Sequence, residues 1–276
     1  MNFTKMQGLG NDFVVIDETT GETETHWAVV APILCNRHFG IGADGVLLLR
    51  QSTCANFRID ILNADGSVPE MCGNGVRCAS KFFQIISAPG AKNFSIETIS
   101  GILEVEIDSS GQVRIAMGKP ETIYENIELG SMFSNLKGIG VRLGNPHLVV
   151  FVPSVSEIDV ADWGSKLEVH PLFKEKTNVH FVERISANKL RQRTWERGSG
   201  LTLACGSGAS CSAFAARQAG LVGNDVQVEL DGGTLQIEIQ TDLEIFMTGP
   251  AEISFNGIWP NVSLPKEIES LQFVAN

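Results

Sequence analysis

The segment 95–107 reads SIETISGILEVEI, and in it Leu103, Val105 and Ile107 alternate with Glu104, Glu106 and Asp108. An alternation of period two predicts a strand with one buried face. Segment 226–239, VQVELDGGTLQIEI, repeats the pattern, with Leu235, Ile237 and Ile239 beyond an Asp231-Gly232-Gly233 turn. Gly101 and Gly233 mark the turns of two predicted hairpins. The apolar runs at 46–49 and 148–152 are also strand-sized. Two segments break this texture. After Cys72, residues Val76, Ala79, Phe82, Phe83 and Ile86 recur at helical spacing over 75–87, with no proline before Pro89. After Cys205, the alanine-rich stretch 208–219 runs to Gly220, a helix stop. The pattern predicts an α+β chain, mostly strand, with one principal helix in each half.

The two halves also match each other. Cys-Gly-x-Gly-x-x-Cys occurs at 72–78 and again at 205–211, 133 positions apart. Gly10-Asn11-Asp12-Phe13-Val14-Val15 resembles Gly144-Asn145-Pro146-His147-Leu148-Val149, and MGKP at 117–120 resembles MTGP at 247–250. Four matched features in one order imply an internal duplication, and a repeat this long means two similar domains, not a solenoid. The expected architecture is two pseudo-symmetric, β-rich domains, each wrapped around a central helix, with a site in the cleft between them. The boundary is expected near 118–120. That gives a first domain at 1–117, a second at 118–250, and a segment 251–276 that packs back onto the first.

Composition narrows the partners. The chain has 276 residues, 43% of them hydrophobic and 19% charged, enough apolar content for a sizeable core. A net charge of −11 argues against nucleic acid and against anionic membrane surfaces, leaving a small molecule as the expected ligand. The first residues lack the charged-then-apolar pattern of a secretory signal, and the apolar runs are too short to cross a bilayer, so a cytoplasmic protein is expected. The six cysteines are therefore expected as free thiols.

A thiol at a helix mouth meets unpaired N–H groups and about half a positive charge, which stabilise the thiolate and lower its pKa. The glycines at 73, 75, 206 and 208 leave those N–H groups open to a bound anion. Two such turns facing each other across a cleft could take a proton from one side of a carbon and return one on the other, as inversion of a stereocentre requires. Closure of that cleft would also bring Cys72 and Cys205 within reach of a reversible disulfide. The plain reading of a cysteine is a small core residue, and it is applied to Cys35, Cys54, Cys78 and Cys211. Cys-x5-Cys is not a zinc spacing, and neither turn carries a P-loop or a Cys-x-x-Cys redox pair, so no metal is expected.

FTKMQGLGNDFVVID, CNRHFGIGADG, NADGSVPEMCGNGVRC, GNPH, TNVHFV, WERGSGLTLACGSGA and MTGPA run in order through nearly the whole chain. Together they closely resemble the diaminopimelate epimerase family of two-cysteine, cofactor-independent racemases and epimerases. The resemblance implies interconversion of LL- and meso-diaminopimelate at one α-carbon, without pyridoxal phosphate, other cofactor or metal, in a cytoplasmic homodimer. It implies Cys72 and Cys205 as acid/base thiols, with His147 and Glu196 as their helpers. Asn11, Asn63, Asn145, Asn178, Glu196 and Arg197 resemble the substrate contacts, and Gly73, Asn74, Gly206 and Ser207 would bind the reacting carboxylate. Carboxamides and an arginine suit a substrate with two amino-acid ends. Leu201 stands where many members carry Glu, which removes a local contact but neither thiol. A proline- or hydroxyproline-type racemase and a non-catalytic amino-acid-binding protein are the alternatives; a phenazine-type isomerase would share the fold but lack the thiol pair.

Overall fold

The computed structural model describes residues 1–21, 25–69 and 72–260. The first half carries β1 (Asn2–Gly8), β2 (Asn11–Glu18), α1 (Trp27–Cys35), β3 (Gly45–Arg50), β4 (Phe57–Asn63), α2 (Gly73–Ile86), β5 (Asn93–Thr98), β6 (Gly101–Ile107), β7 (Val113–Gly118) and β8 (Glu121–Glu128). The second carries β9 (Lys137–Leu143), β10 (Asn145–Phe151), α3 (Val160–Glu168), β11 (Asn178–Ser186), β12 (Lys189–Glu196), β13 (Gly200–Thr202), α4 (Gly206–Gln218), β14 (Asp225–Leu230), β15 (Gly233–Ile239), β16 (Ile245–Gly249) and β17 (Glu252–Ile258). Apart from β13, every element of the second half has a counterpart in the first, in the same order. The fold is α+β and duplicated.

Strand pairing repeats as well. β1–β2 is antiparallel, β2–β3 parallel, β3–β4 antiparallel, β4–β5 parallel, and β5–β6–β7 antiparallel. The ladder β9–β10–β11–β12–β14–β15–β16 follows the same senses. β7 and β16 pair with each other and join the halves. The last strand of each repeat crosses over: β8 pairs with β9, and β17 pairs with β1. Each half is thus completed by a strand of the other. The part of the expected C-terminal return at 261–276 lies outside the described residues.

The alternating patterns form the expected hairpins. Gly233, with φ +139, opens β15 in backbone space that side chains rarely adopt. Both principal helices begin two residues before the expected starts, because the cysteine itself serves as N-cap. The Cys72 Sγ accepts a hydrogen bond from the Gly75 N–H at 3.4 Å. α2 buries Val76, Ala79, Phe82 and Phe83 in its half, with Phe83 stacked on Phe57 at 4.4 Å between centroids. α4 is packed through alanine and Cys211. Beside the principal helix, each half carries a short second helix, α1 and α3, in equivalent places. Pro32 inside α1 masked that helix in the sequence pattern. Cys35, Cys78 and Cys211 are buried, but Cys54 is exposed in the turn before β4, contrary to its assignment to the core. Among the described residues, no helix is long and apolar enough to cross a membrane.

Candidate active site

The duplication brings the two thiol-bearing helix mouths together around one side chain. A Cβ on Gly73 would lie 2.8 Å from Met247 Cε, and one on Gly206 would lie 2.9 Å from Met247 Sδ. Only glycine allows both N-termini to approach this methionine so closely. Asn74 ties the mouths across the halves: its Nδ2 donates to Ala204 O at 3.2 Å and to Asn11 Oδ1 at 3.1 Å. Its Oδ1 is buried and has no partner among the described residues.

At the first mouth, the Cys72 thiol donates to Asn11 Oδ1 at 3.9 Å. Asn11 is held in turn, with its Nδ2 donating to Asp44 Oδ2 at 2.8 Å. Arg37 bridges Asp44 and Asp12, and Lys5 binds Asp12 from below at 2.5 Å. Burial raises the Asp12 pKa, but the bonds from Arg37 and Lys5 outweigh it and bring the carboxyl down to about 2. Asp44, Arg37, Asp12 and Lys5 were assigned no role from sequence, although all four lie in quoted motifs. Their signal was a charged cluster beside GND and GADG, without a spacing that says what it holds.

At the second mouth, Cys205 is buried, with its Sγ 3.7 Å from Ser207 Oγ. The Glu196 carboxyl lies beside the Cys205 thiol and acts on its pKa, and its Oε1 accepts from Thr202 Oγ1 at 2.6 Å. Burial raises the Glu196 pKa, with the Asp44 charge adding to it, against the bonds from Thr202 and Cys205. Leu201, the departure noted above, is exposed and pairs with Trp195 on β12, leaving Thr202 to hold Glu196.

The expected low thiol pKa is overturned. Burial pushes Cys72 up to about 11, against the lowering Gly75 N–H bond, and pushes Cys205 well above the ordinary value, with the Glu196 charge adding to it. A helix N-terminus offers about half a charge, whereas burial of a thiolate removes its whole hydration. Desolvation wins.

The remaining expected residues fall into two groups. Asn145 Oδ1 accepts from Arg197 NH2 at 2.8 Å, and Asn178 Oδ1 accepts from the Arg197 backbone N–H at 3.0 Å. Asn178 and His147 are direct partners in the β10–β11 ladder. These four side chains form one patch beside the second mouth. Asn63 ends β4 on the side of the first mouth, exposed, its Nδ2 donating to Ser67 Oγ at 2.9 Å and the next residue's N–H donating to Asp44 O at 3.0 Å. Its repeat equivalent is Glu196, so the two mouths are not chemically alike.

The fold is duplicated and β-rich, with a thiol on each of two adjoining helix N-termini. Two solved structures share this fold. A hydroxyproline epimerase from Agrobacterium vitis matches with a TM-score of 0.72 at 15% identity, over 93% of this chain and 90% of that one. A phenazine biosynthesis protein from Bacillus anthracis also matches at 0.72, with 14% identity, over 93% and 98%. The sequence is more specific. The diaminopimelate epimerase family profile matches residues 3–123 and 140–254. A diaminopimelate epimerase of Carboxydothermus hydrogenoformans is 43% identical over 93% of this chain and 98% of its own. One from Microcystis aeruginosa is 41% identical over 94% and 98%. The chain belongs to the diaminopimelate epimerase family and is an isomerase.

Proposed function

We propose that the chain interconverts LL- and meso-2,6-diaminopimelate, a step of lysine and peptidoglycan-precursor biosynthesis, by proton transfer between two thiols and the α-carbon. The observation that carries this reading is the pair of repeat-related cysteines, Cys72 and Cys205, capping two helices that close on Met247. In one direction a thiolate takes the α-proton, the electron pair passes into the carboxylate as an enediolate, and the opposite thiol returns a proton on the other face. The first thiol ends protonated and the second ionised, so the reverse reaction starts from that state.

A thiolate must first form. Glu196 would take the Cys205 proton, since its carboxyl acts on that thiol at close range. The substrate ammonium supplies positive charge where burial has withheld solvation. Asn11, Asn63, Asn145, Asn178 and Arg197 would bind the ammonium and carboxylate groups. Gly73, Asn74, Gly206 and Ser207 would present helix-end donors to the reacting carboxylate. His147 would polarise the site.

We further propose domains at 1–117 and 118–250 with 251–276 returning to the first, a cytoplasmic location, and a homodimer. Among the described residues β17 pairs only with β1, and it exposes Ile253, Phe255 and Ile258, an apolar edge suited to a second copy.

The test is proton NMR of the reduced protein with LL-diaminopimelate in D2O without added cofactor. Loss of the α-proton with appearance of deuterated meso product is expected. Exchange of proline or hydroxyproline instead overturns the substrate, and exchange of no amino acid overturns the two-thiol reading.

A further inference from the structure

The repeat is broken at four core positions, and the four changes touch one another. In the first half β2, β3 and β4 place Phe13, Leu47 and Ile59 in the apolar core around α2, with the half-buried Ile61 packed against it. The equivalent positions in β10, β11 and β12 are His147, His180, Gln192 and Thr194, each buried. Burying four polar groups where the same architecture closes with apolar ones carries a desolvation cost, so the network needs a reason beyond packing.

Its wiring can be followed atom by atom. Gln192 Nε2 donates to Thr194 Oγ1 at 2.9 Å and stands 3.3 Å from His180 Nδ1. Thr194 Oγ1 lies 3.0 Å from the same His180 Nδ1, and its hydroxyl, having accepted from Gln192, is free to donate there. His180 Nδ1 is therefore an acceptor, which puts its proton on Nε2. His180 Nε2 lies 2.9 Å from His147 Nδ1 in a stacked pair of rings. It donates, so His147 Nδ1 accepts and the His147 proton sits on Nε2. That Nε2 is buried and without a partner among the described residues, on a ring that pairs with Asn178 across the ladder and lies two residues along β10 from Asn145, the residue Arg197 bonds. The reverse wiring needs the Gln192 amide turned over. Its NH2 would then sit where Oε1 now has no partner, orphaning a buried donor group in place of one acceptor.

We propose that His180, Thr194 and Gln192 are positioning residues that lock His147 in the tautomer protonated on Nε2, so that His147 meets the substrate as a hydrogen-bond donor and not as a base. This rests on the two-thiol reading of the site and assigns His147 its part in it. An N–H aimed at a carboxylate gaining charge stabilises the enediolate, while the proton transfers belong to the thiols and Glu196. Burial lowers His147 to about 3, with the Arg197 charge assisting, and lowers His180 well below its ordinary range, so both rings are neutral at pH 7. His180 also packs on the first turn of α4, where a Cβ on Gly208 would lie 2.2 Å from its Cε1. The ring is thereby locked in place beside the Cys205 mouth.

Long-range proton–nitrogen correlation on histidine-labelled protein at pH 7 reads the tautomers directly, with the two rings identified by their loss in H147Q and H180Q. Nε2 protonated and Nδ1 bare in both rings is the expected result. His147 protonated on Nδ1, or on both nitrogens, overturns the proposal. H180L should lower kcat about 10-fold with KM nearly unchanged, a fraction of what a positioned proton-transfer group supplies. H180Q, whose amide can donate from the place of Nε2, should recover most of that loss. An unchanged kcat in H180L, or no recovery in H180Q, also counts against it. The tautomer needs no substrate to be read, so it stands apart from the exchange test. Absence of exchange with the expected tautomers refutes the two-thiol reading and leaves the wiring.

Discussion

Cys72 and Cys205 occupy equivalent positions but have unequal neighbours. Cys205 has the Glu196 carboxyl beside it, whereas Cys72 faces the neutral Asn11. Either cysteine replaced by serine should lose epimerisation by roughly 10²- to 10⁴-fold while still binding diaminopimelate, as calorimetry would show. Loss of binding alongside activity would instead mark a packing role. The raised thiol pKa values also make a pH prediction. Alkylation of Cys72 by iodoacetamide in the ligand-free protein should climb toward pH 11, and not level off near the ordinary thiol value. Cys35, Cys72 and Cys78 are raised from 9.0 to about 11, 11 and 12. The folded state holds these protons when the unfolded chain has released them, so their contribution is full below pH 9 and is lost as pH rises toward 11. Thermal unfolding measured from pH 7 to 11 should show melting temperature falling only above 9.

At the scale of elements, the two helix mouths depend on backbone without side chains. Gly208→Ala would drive a methyl into the His180 ring, 2.2 Å from Cε1. It should destabilise the protein by about 1–3 kcal/mol as an overpacked core does. Activity should fall further than stability, because the displaced ring carries the bond to His147. Denaturant unfolding and turnover on the same preparation separate the two effects. Much at this scale was legible in the sequence. The alternation at 103–107 and 235–239 located the hairpins, and Val76, Phe82 and Phe83 located α2, because a half-buried surface imposes its period on the chain. α1 and α3 were not legible. Pro32 hides the first, and the second, nine residues long, has its apolar face filled only by the surrounding strands.

Across the whole molecule, the crossing of β8 and β17 makes the halves interdependent. Deleting residues from 251 onward would leave the β1 edge unpaired and remove Phe255 from against Phe3. The truncated chain is expected to melt earlier and to associate, visible by calorimetry and size-exclusion chromatography. An equally stable, equally dispersed product would show that each half closes on its own strands. Fully buried Arg77 belongs to the same scale, bonding Pro250 O and Met247 Sδ from the far end of the chain. Burial lowers its pKa to about 10.

The motifs, the duplication and the pair of thiol-bearing turns stand in the residues themselves, because each depends on short-range spacing that one stretch of chain carries whole. The state of those thiols does not. Helix-end chemistry alone argues for an acidic thiol, and only the packing of both halves around Met247, with its loss of water, reverses the direction. The link from Gln192 and Thr194 through His180 to His147 is likewise invisible in order along the chain. It joins three strands whose residues become neighbours only when the parallel β10–β11 and antiparallel β11–β12 ladders set their register, since contact across strands follows pairing and not sequence distance.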